Sequence, residues 1–437
     1  MEKEDVAGIL LDINAVSLNP TNPFRYASGI LSPIYTDCRV LTSYPKERKL
    51  IIDLLVKHID EKIDRKNIDV IVGTAHSGIS LATYLAQRLG LPMAYIRSSA
   101  KEHGKRKQIE GIFHKGSRAL LISDIMSTEM DIPISVETIR EADGKVVYCL
   151  TIFSNNLGIV EKFLEKEEIK YHYLSDLKTL LLVASIKKKI SDDESESVTK
   201  WMNNPENWNK IRKKEIEGKL KETKEKIAGI LLKIKAVTLN LKEPYRYTSG
   251  ILSPIYTDNR LLISYPKEWE EVIESMVYTI INKIGVQNID IIAGTATAGI
   301  SHAAYLAERL GLPMIYIKSS VDEHGKFTRI EGHVERGDKV LVVEDLISTG
   351  GSSISSAQAI RDAGGIVENC LAIFTYELEK SKKAFKEGKI NLTALTDFTT
   401  LVNVAIKNNY IKPNEKSIVL EWSKDPSGWE GKFKKMR

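Results

Sequence analysis

The run VLVVEDLISTGGSS, from Val340 to Ser353, passes from an apolar stretch through two adjacent carboxylates into a turn of hydroxyls and glycines. Each part has a chemical use. Glu344 and Asp345, at the end of a buried strand, are acceptors matched to two neighbouring sugar hydroxyls. Gly350 and Gly351 let the backbone adopt positive φ and approach a ligand closely. Unpaired N–H groups at the start of the helix that follows form a nest for an anion such as a phosphate. Ser348, Thr349 and Ser352 add hydroxyl donors, and Leu346 and Ile347 carry the chain between the acids and the turn. A capped helix behind a solvent-facing acidic pair would explain the glycines, but not the full order of acid, hydroxyl and glycine.

The elements that must position this run repeat along the chain. SGILSPIYTD begins at Ser28 and again at Ser249, 221 residues later. The same offset relates Gly73-Thr-Ala to Gly294-Thr-Ala, Glu102-His-Gly-Lys to Glu323-His-Gly-Lys, Ile109-Glu-Gly to Ile330-Glu-Gly, and Trp201 to Trp422. So long a period is a duplicated domain and not a solenoid, whose repeats are about 20–50 residues. We place the domains at 1–215 and 216–437, with a charged helical connector after Trp208, from Lys210 to Lys226. In the second copy the patterning predicts strands at Ile289–Ala293, Pro313–Ile317, Lys339–Val343 and Ile366–Phe374, and helices at Gly299–Leu310 and Ser353–Ala363. This is α/β logic: a parallel sheet flanked by helices, with ligands beyond the carboxyl ends of the strands.

Composition narrows the class. The 437 residues are 43% hydrophobic and 28% charged, enough apolar material for real cores. A net charge of +5, from 63 basic and 58 acidic residues, is too small and scattered for a nucleic-acid footprint. No apolar run approaches the roughly 20 residues of a membrane span. Three cysteines without a CxxC pair argue against a disulfide scaffold or zinc site and fit a reducing cytoplasm.

The acid, hydroxyl and glycine run resembles the phosphoribosyl-pyrophosphate (PRPP) signature of type I phosphoribosyltransferases. SGILSPIYTDNR from Ser249, GTATAGISHAAYLAERLGLPM from Gly294, the EHG loop with its following IEG, and IFTYELE from Ile373 resemble orotate phosphoribosyltransferase over nearly the whole chain, twice. The resemblance implies a sheet with a small hood, and transfer of phosphoribosyl from PRPP to orotate N1 in de novo UMP synthesis. It also implies Mg²⁺ held through PRPP without direct protein ligands, and a homodimer in which a loop of one subunit covers the other's site. PRPP would be bound by residues 344–352 and Lys105, and orotate by Ser348, Ile255, Tyr256 and Arg260. Leu31 and Leu252 stand where many members have a lysine, and IFTYELE lacks the arginine that grips the orotate carboxylate in some.

The copies have lost different parts. In the first, Ser123 replaces the first acid, and Glu129 and Met130 replace the two glycines. A carboxylate beside a phosphate about 4 Å away costs on the order of 1–4 kcal/mol. In the loop the damage is reversed. The first copy keeps Arg97, Lys101, His103 and Lys105, whereas the second has Asp322 opposite Lys101. By the resemblance, Arg97, Lys101 and His103 stabilise the leaving pyrophosphate. We therefore expect one composite site per chain, with the first copy's loop acting on PRPP held by the second in a pseudo-dimer, and further self-association open. The competing readings are a transferase for another base and a non-catalytic PRPP sensor.

Overall fold

The structure, a computed structural model, describes residues 2–25, 30–97, 108–126, 130–319 and 329–436. Its two compact units are Met1–Ile211 and Arg212–Arg437. The division falls inside one uninterrupted helix, Pro205–Lys233. The helix starts where local chemistry dictates. The Asn204 side chain accepts from the Asn207 N–H at 3.0 Å, and Pro205 takes the first helical position, where its missing N–H costs nothing. The Lys- and Glu-rich sequence that follows has high helix propensity and no proline to stop it.

The second unit holds a six-stranded sheet in the order Ile330–Glu331, Met314–Ile317, Ile291–Thr295, Lys339–Ile347, Ile366–Thr375, Asn391–Asp397. Neighbours are parallel except at the edge, where Ile330–Glu331 runs antiparallel to Met314–Ile317. Along Lys339–Ile347, Val340 and Val342 enter one apolar cluster with Ile291 and Phe385, while Leu341 and Val343 enter another with Ile292 and Phe374. A strand buried on both faces must be apolar at every such position, and each buried side chain contributes about 1.5–3 kcal/mol. The apolar half thus anchors a strand whose other end can carry acids.

Sequence patterning ends this strand at Val343, but it continues to Ile347. Leu346 and Ile347 keep their pairing with Phe374 and Thr375, so the acidic pair lies within the sheet. The helix Gly299–Leu310 has its expected bounds. Its first residue packs against the acid-bearing strand, and a Cβ on Gly299 would lie 2.6 Å from the Val343 carbonyl oxygen. Only glycine permits that approach.

The first unit repeats the plan. Its seven-stranded sheet runs Lys170–Asp176, Lys145–Ser154, Arg118–Ile122, Val70–Gly73, Met93–Ile96, Ile109–Glu110, with Ile125–Met126 also paired to Lys145–Ser154. Here the acid-bearing strand is broken: pairing stops at Ile122 and resumes at Ile125, with Ser123 and Asp124 between. Each unit also has two short antiparallel ribbons before its sheet. In the second they join Val237–Leu239 to Ile255–Thr257 and Tyr245–Arg246 to Leu252–Ser253, forming the small hood. Among the described residues no helix is long and apolar enough to cross a membrane. Cys38, Cys149 and Cys370 are buried and free.

Candidate active site

Alternation along the strand puts Glu344 on the side of Val340 and Val342, under the first turn of the helix Gly351–Asp362. It is only 5% exposed. Ser352 Oγ and Ser353 Oγ each donate to Glu344 Oε2 at 3.1 Å. Burial first, and then the charge of Asp345, push the Glu344 carboxyl well above the usual carboxylate range. Burial raises Asp345 as well. Two carboxyls in one poorly hydrated place cannot both ionise freely, so the pair retains a proton near neutral pH.

The turn after the strand is built for close approach. Gly350 caps the helix at φ 84°, and a Cβ on it would come 3.0 Å from the Phe385 ring; both features demand glycine. The first N–H groups of the helix lack intrahelical acceptors and carry partial positive charge. Thr349 and Gly351 are exposed and Ser348 is half-buried. Three of the expected residues already have partners here. Leu346 and Ile347 pack inward against the two core clusters, leaving only backbone for a ligand, and the Ile347 carbonyl already accepts from the Tyr376 N–H at 3.1 Å. Ser352 is exposed, and its hydroxyl donates to Glu344.

The hood carries the residues expected on the base side. Tyr256 leaves its ring 45% exposed, beside that of Tyr245 with centroids 5.5 Å apart. Ile255, expected to offer its backbone, is already occupied: its carbonyl accepts from Tyr247 Oη at 2.7 Å and Ser253 Oγ at 2.8 Å. Arg260, expected to meet a substrate carboxylate, forms a two-point ion pair with Asp258 at 2.7 and 2.9 Å. The short spacing between the two residues favours that closure. Beyond it, Asn259 is fully buried and its Nδ2 donates to the Asp345 carbonyl at 2.8 Å. Tyr376 brings its hydroxyl to 3.4 Å from that of Tyr247. Sequence reasoning missed Asn259, Tyr247, Tyr376 and Ser353. Matching the copies position by position would have marked three of them, since Asn259 is opposite Cys38, Tyr376 opposite Asn155 and Ser353 opposite Ile132.

Residues 40–176 and 266–393 each match the family described as the phosphoribosyl transferase domain. An orotate phosphoribosyltransferase of Coxiella burnetii is 51% identical over 204 residues, which is 47% of this chain and 97% of that protein. One from Enterococcus faecalis is 47% identical over 204 residues, covering 96% of its own length. The chain belongs to the orotate phosphoribosyltransferase family. Each of these relatives is thus matched by about half of the chain, in which the family's domain occurs twice. Among solved structures, the orotate phosphoribosyltransferase of Aeropyrum pernix aligns with 41% of this chain and 98% of its own, at 27% identity and a TM-score of 0.37.

Against the orotate phosphoribosyltransferase pattern of the second unit, the first unit departs at matching places. Ser123 accepts from Thr74 Oγ1 at 3.1 Å where the other unit has Glu344. Asp124 is kept, buried, with its carboxyl raised by that burial. The helix Asp131–Glu141 opens with an acid and has Pro133 in its first turn, which removes a backbone donor. Met130, opposite Gly351, is exposed. Arg97 pairs with Glu110 at 3.5 Å, and its N–H donates to the Gln108 carbonyl at 2.9 Å. That bond extends the antiparallel pairing of Met93–Ile96 with Ile109–Glu110 by one step. Lys101, His103, Lys105, Glu129, Asp322 and His324 lie outside the described residues.

Proposed function

We propose that the chain transfers the phosphoribosyl group of PRPP to N1 of orotate, giving orotidine 5′-monophosphate and pyrophosphate in pyrimidine synthesis. One observation carries this reading. In a chain of this family, a buried acid and its half-buried neighbour lead through a glycine cap into a helix start, and Asn259 ties the backbone beside them to the hood segment that carries the exposed Tyr256. The helix start suits the 5-phosphate. Asp345 and Glu344 suit the ribose hydroxyls, Glu344 exchanging serine hydroxyls for sugar ones. The Tyr256 ring and Ser348 suit the base.

As orotate N1 gives up its proton to water and bonds to C1 of the ribose, the C1–O bond breaks and its electron pair leaves with pyrophosphate. The chain's own work is to hold both partners in line and keep water out. Among the described residues no group of three or more His, Cys, Asp or Glu is placed to hold a metal ion. By the family resemblance Mg²⁺ would be held by the PRPP diphosphate oxygens, where it would offset the leaving charge.

The finer reading is the composite site, and its support is in the sequence. The second copy keeps the acid pair and glycines but has Asp322 in its loop; the first keeps Arg97, Lys101, His103 and Lys105 but has Glu129 and Met130 at the nest. One complete set results, with Arg97 and Lys101 countering pyrophosphate charge and His103 as proton donor.

The test is an assay of the purified chain with orotate, PRPP and Mg²⁺. Orotidine monophosphate is the expected product. Pyrophosphate release that ignores orotate and quickens with adenine would remove the orotate assignment, and failure to bind PRPP would remove the enzyme reading altogether.

A further inference from the structure

Asn259 stands out as a polar side chain that the fold does not need. It is fully buried at the start of the 3₁₀ turn Asn259–Ser264, and among the described residues its Oδ1 has no hydrogen-bond partner. Burying an amide with half of its capacity unused is unfavourable. The first unit shows that the turn forms as well without it. There the turn Cys38–Ser43 is capped by Asp37 at φ −141° and ψ 84°, against −137° and 84° for Asp258. Arg39 grips Asp37 at 2.7 and 2.9 Å, the same distances as Arg260 to Asp258. Cys38 is buried in the place of Asn259. Turn, cap and ion pair are thus independent of the amide.

What the amide adds is a link across the site. Its Nδ2 holds the Asp345 carbonyl at 2.8 Å, which fixes the peptide plane beside the acid. Its own backbone continues directly from the segment that presents Tyr256. The copy that has lost Glu344 and the two glycines is also the copy that has lost this amide.

We propose that Asn259 is a positioning residue that locks the base-presenting segment of the hood to the ribose-facing acid, bringing orotate N1 into line with C1 of PRPP. The inference rests on the function proposed above. It concerns alignment rather than binding, so turnover should suffer while PRPP is still held. Misplacement of reacting atoms by about 1 Å can cost 10²-fold in rate.

The test replaces Asn259 by the first copy's residue. Asn259→Cys in the full chain should lower kcat by about 10–100-fold, with PRPP affinity in Mg²⁺ calorimetry held within about threefold of wild type. The melting temperature should stay within a few degrees. Asn259→Ser gives the same reading should the cysteine variant fail to fold. Unchanged kcat overturns the inference. So does a fall in PRPP affinity that parallels the fall in kcat, because that is the mark of general disruption. The wild type separates the two readings: if it makes no orotidine monophosphate, the proposed function falls and this inference with it, whereas an active wild type with an equally active Asn259→Cys removes the inference alone.

Discussion

Glu344 serves two opposed demands, since it must meet a sugar and must be buried to do so. Its carboxyl is pushed from an ordinary 4.5 to about 8, by burial first and then by Asp345. An acid raised in the folded state binds its proton more tightly there than in the unfolded chain. Its contribution to stability is therefore lost as pH rises from about 4.5 to about 8 and is level above that. Glu344→Gln keeps an oxygen to accept from Ser352 and Ser353 and has nothing to ionise. Denaturant titration should find it more stable than wild type at pH 8 by at most about 5 kcal/mol, since each tenfold change in proton affinity is worth roughly 1.4 kcal/mol. The gap should close towards pH 4.5 while PRPP affinity falls throughout; a variant that is less stable at pH 8 contradicts this account. The acid pair and the glycines were legible in the sequence because their types and spacing are local. Asn259 shows in the sequence only as a difference between the copies, because its partner lies 86 residues away and a buried amide leaves no periodic trace.

Among the elements, the helix Gly299–Leu310 was fully legible, having a regular apolar face and a glycine start. The hood was not, because ribbons of two or three residues carry no alternation to read. The strand end was also misread, since charged residues at Glu344 and Asp345 look like a boundary until their neighbours are seen to pair. That helix also carries His302, which is fully buried, accepts from Trp269 Nε1 at Nδ1 over 3.0 Å, and is lowered to about 4 by burial. The unfolded chain takes up that proton near the ordinary 6.5. Stability from the neutral imidazole is therefore complete above 6.5 and declines as pH falls towards about 4. The first copy has Leu81 at this position. His302→Leu should flatten the acid-side decline relative to wild type in thermal melts at pH 7 and pH 5. An identical slope in the two proteins would show that the acid loss arises elsewhere.

For the whole molecule, the duplication was legible at once from the constant offset, and both sheets follow from it. The proposed division of labour between copies rests on paired losses in the sequence, since Lys101 and His103 fall outside the described residues. It makes a quantitative claim. Titration with PRPP and Mg²⁺ should saturate near one equivalent per chain, and a value near two that survives Asp345→Asn would show that the first copy binds. Lys101→Ala should cut turnover by orders of magnitude with little change in PRPP affinity, the signature of a contact made mainly in the transition state, and His324→Ala should do little. Activity recovered by mixing Lys101→Ala with Asp345→Asn chains would show loops shared between polypeptides. Lastly, the uninterrupted helix Pro205–Lys233 bears on the protein's life in a cell. With the division set in helix rather than exposed coil, a protease finds no easy nick between the units. Both halves then have one abundance and one lifetime, and a one-to-one ratio that two separate genes would reach only by matched expression is written into the chain.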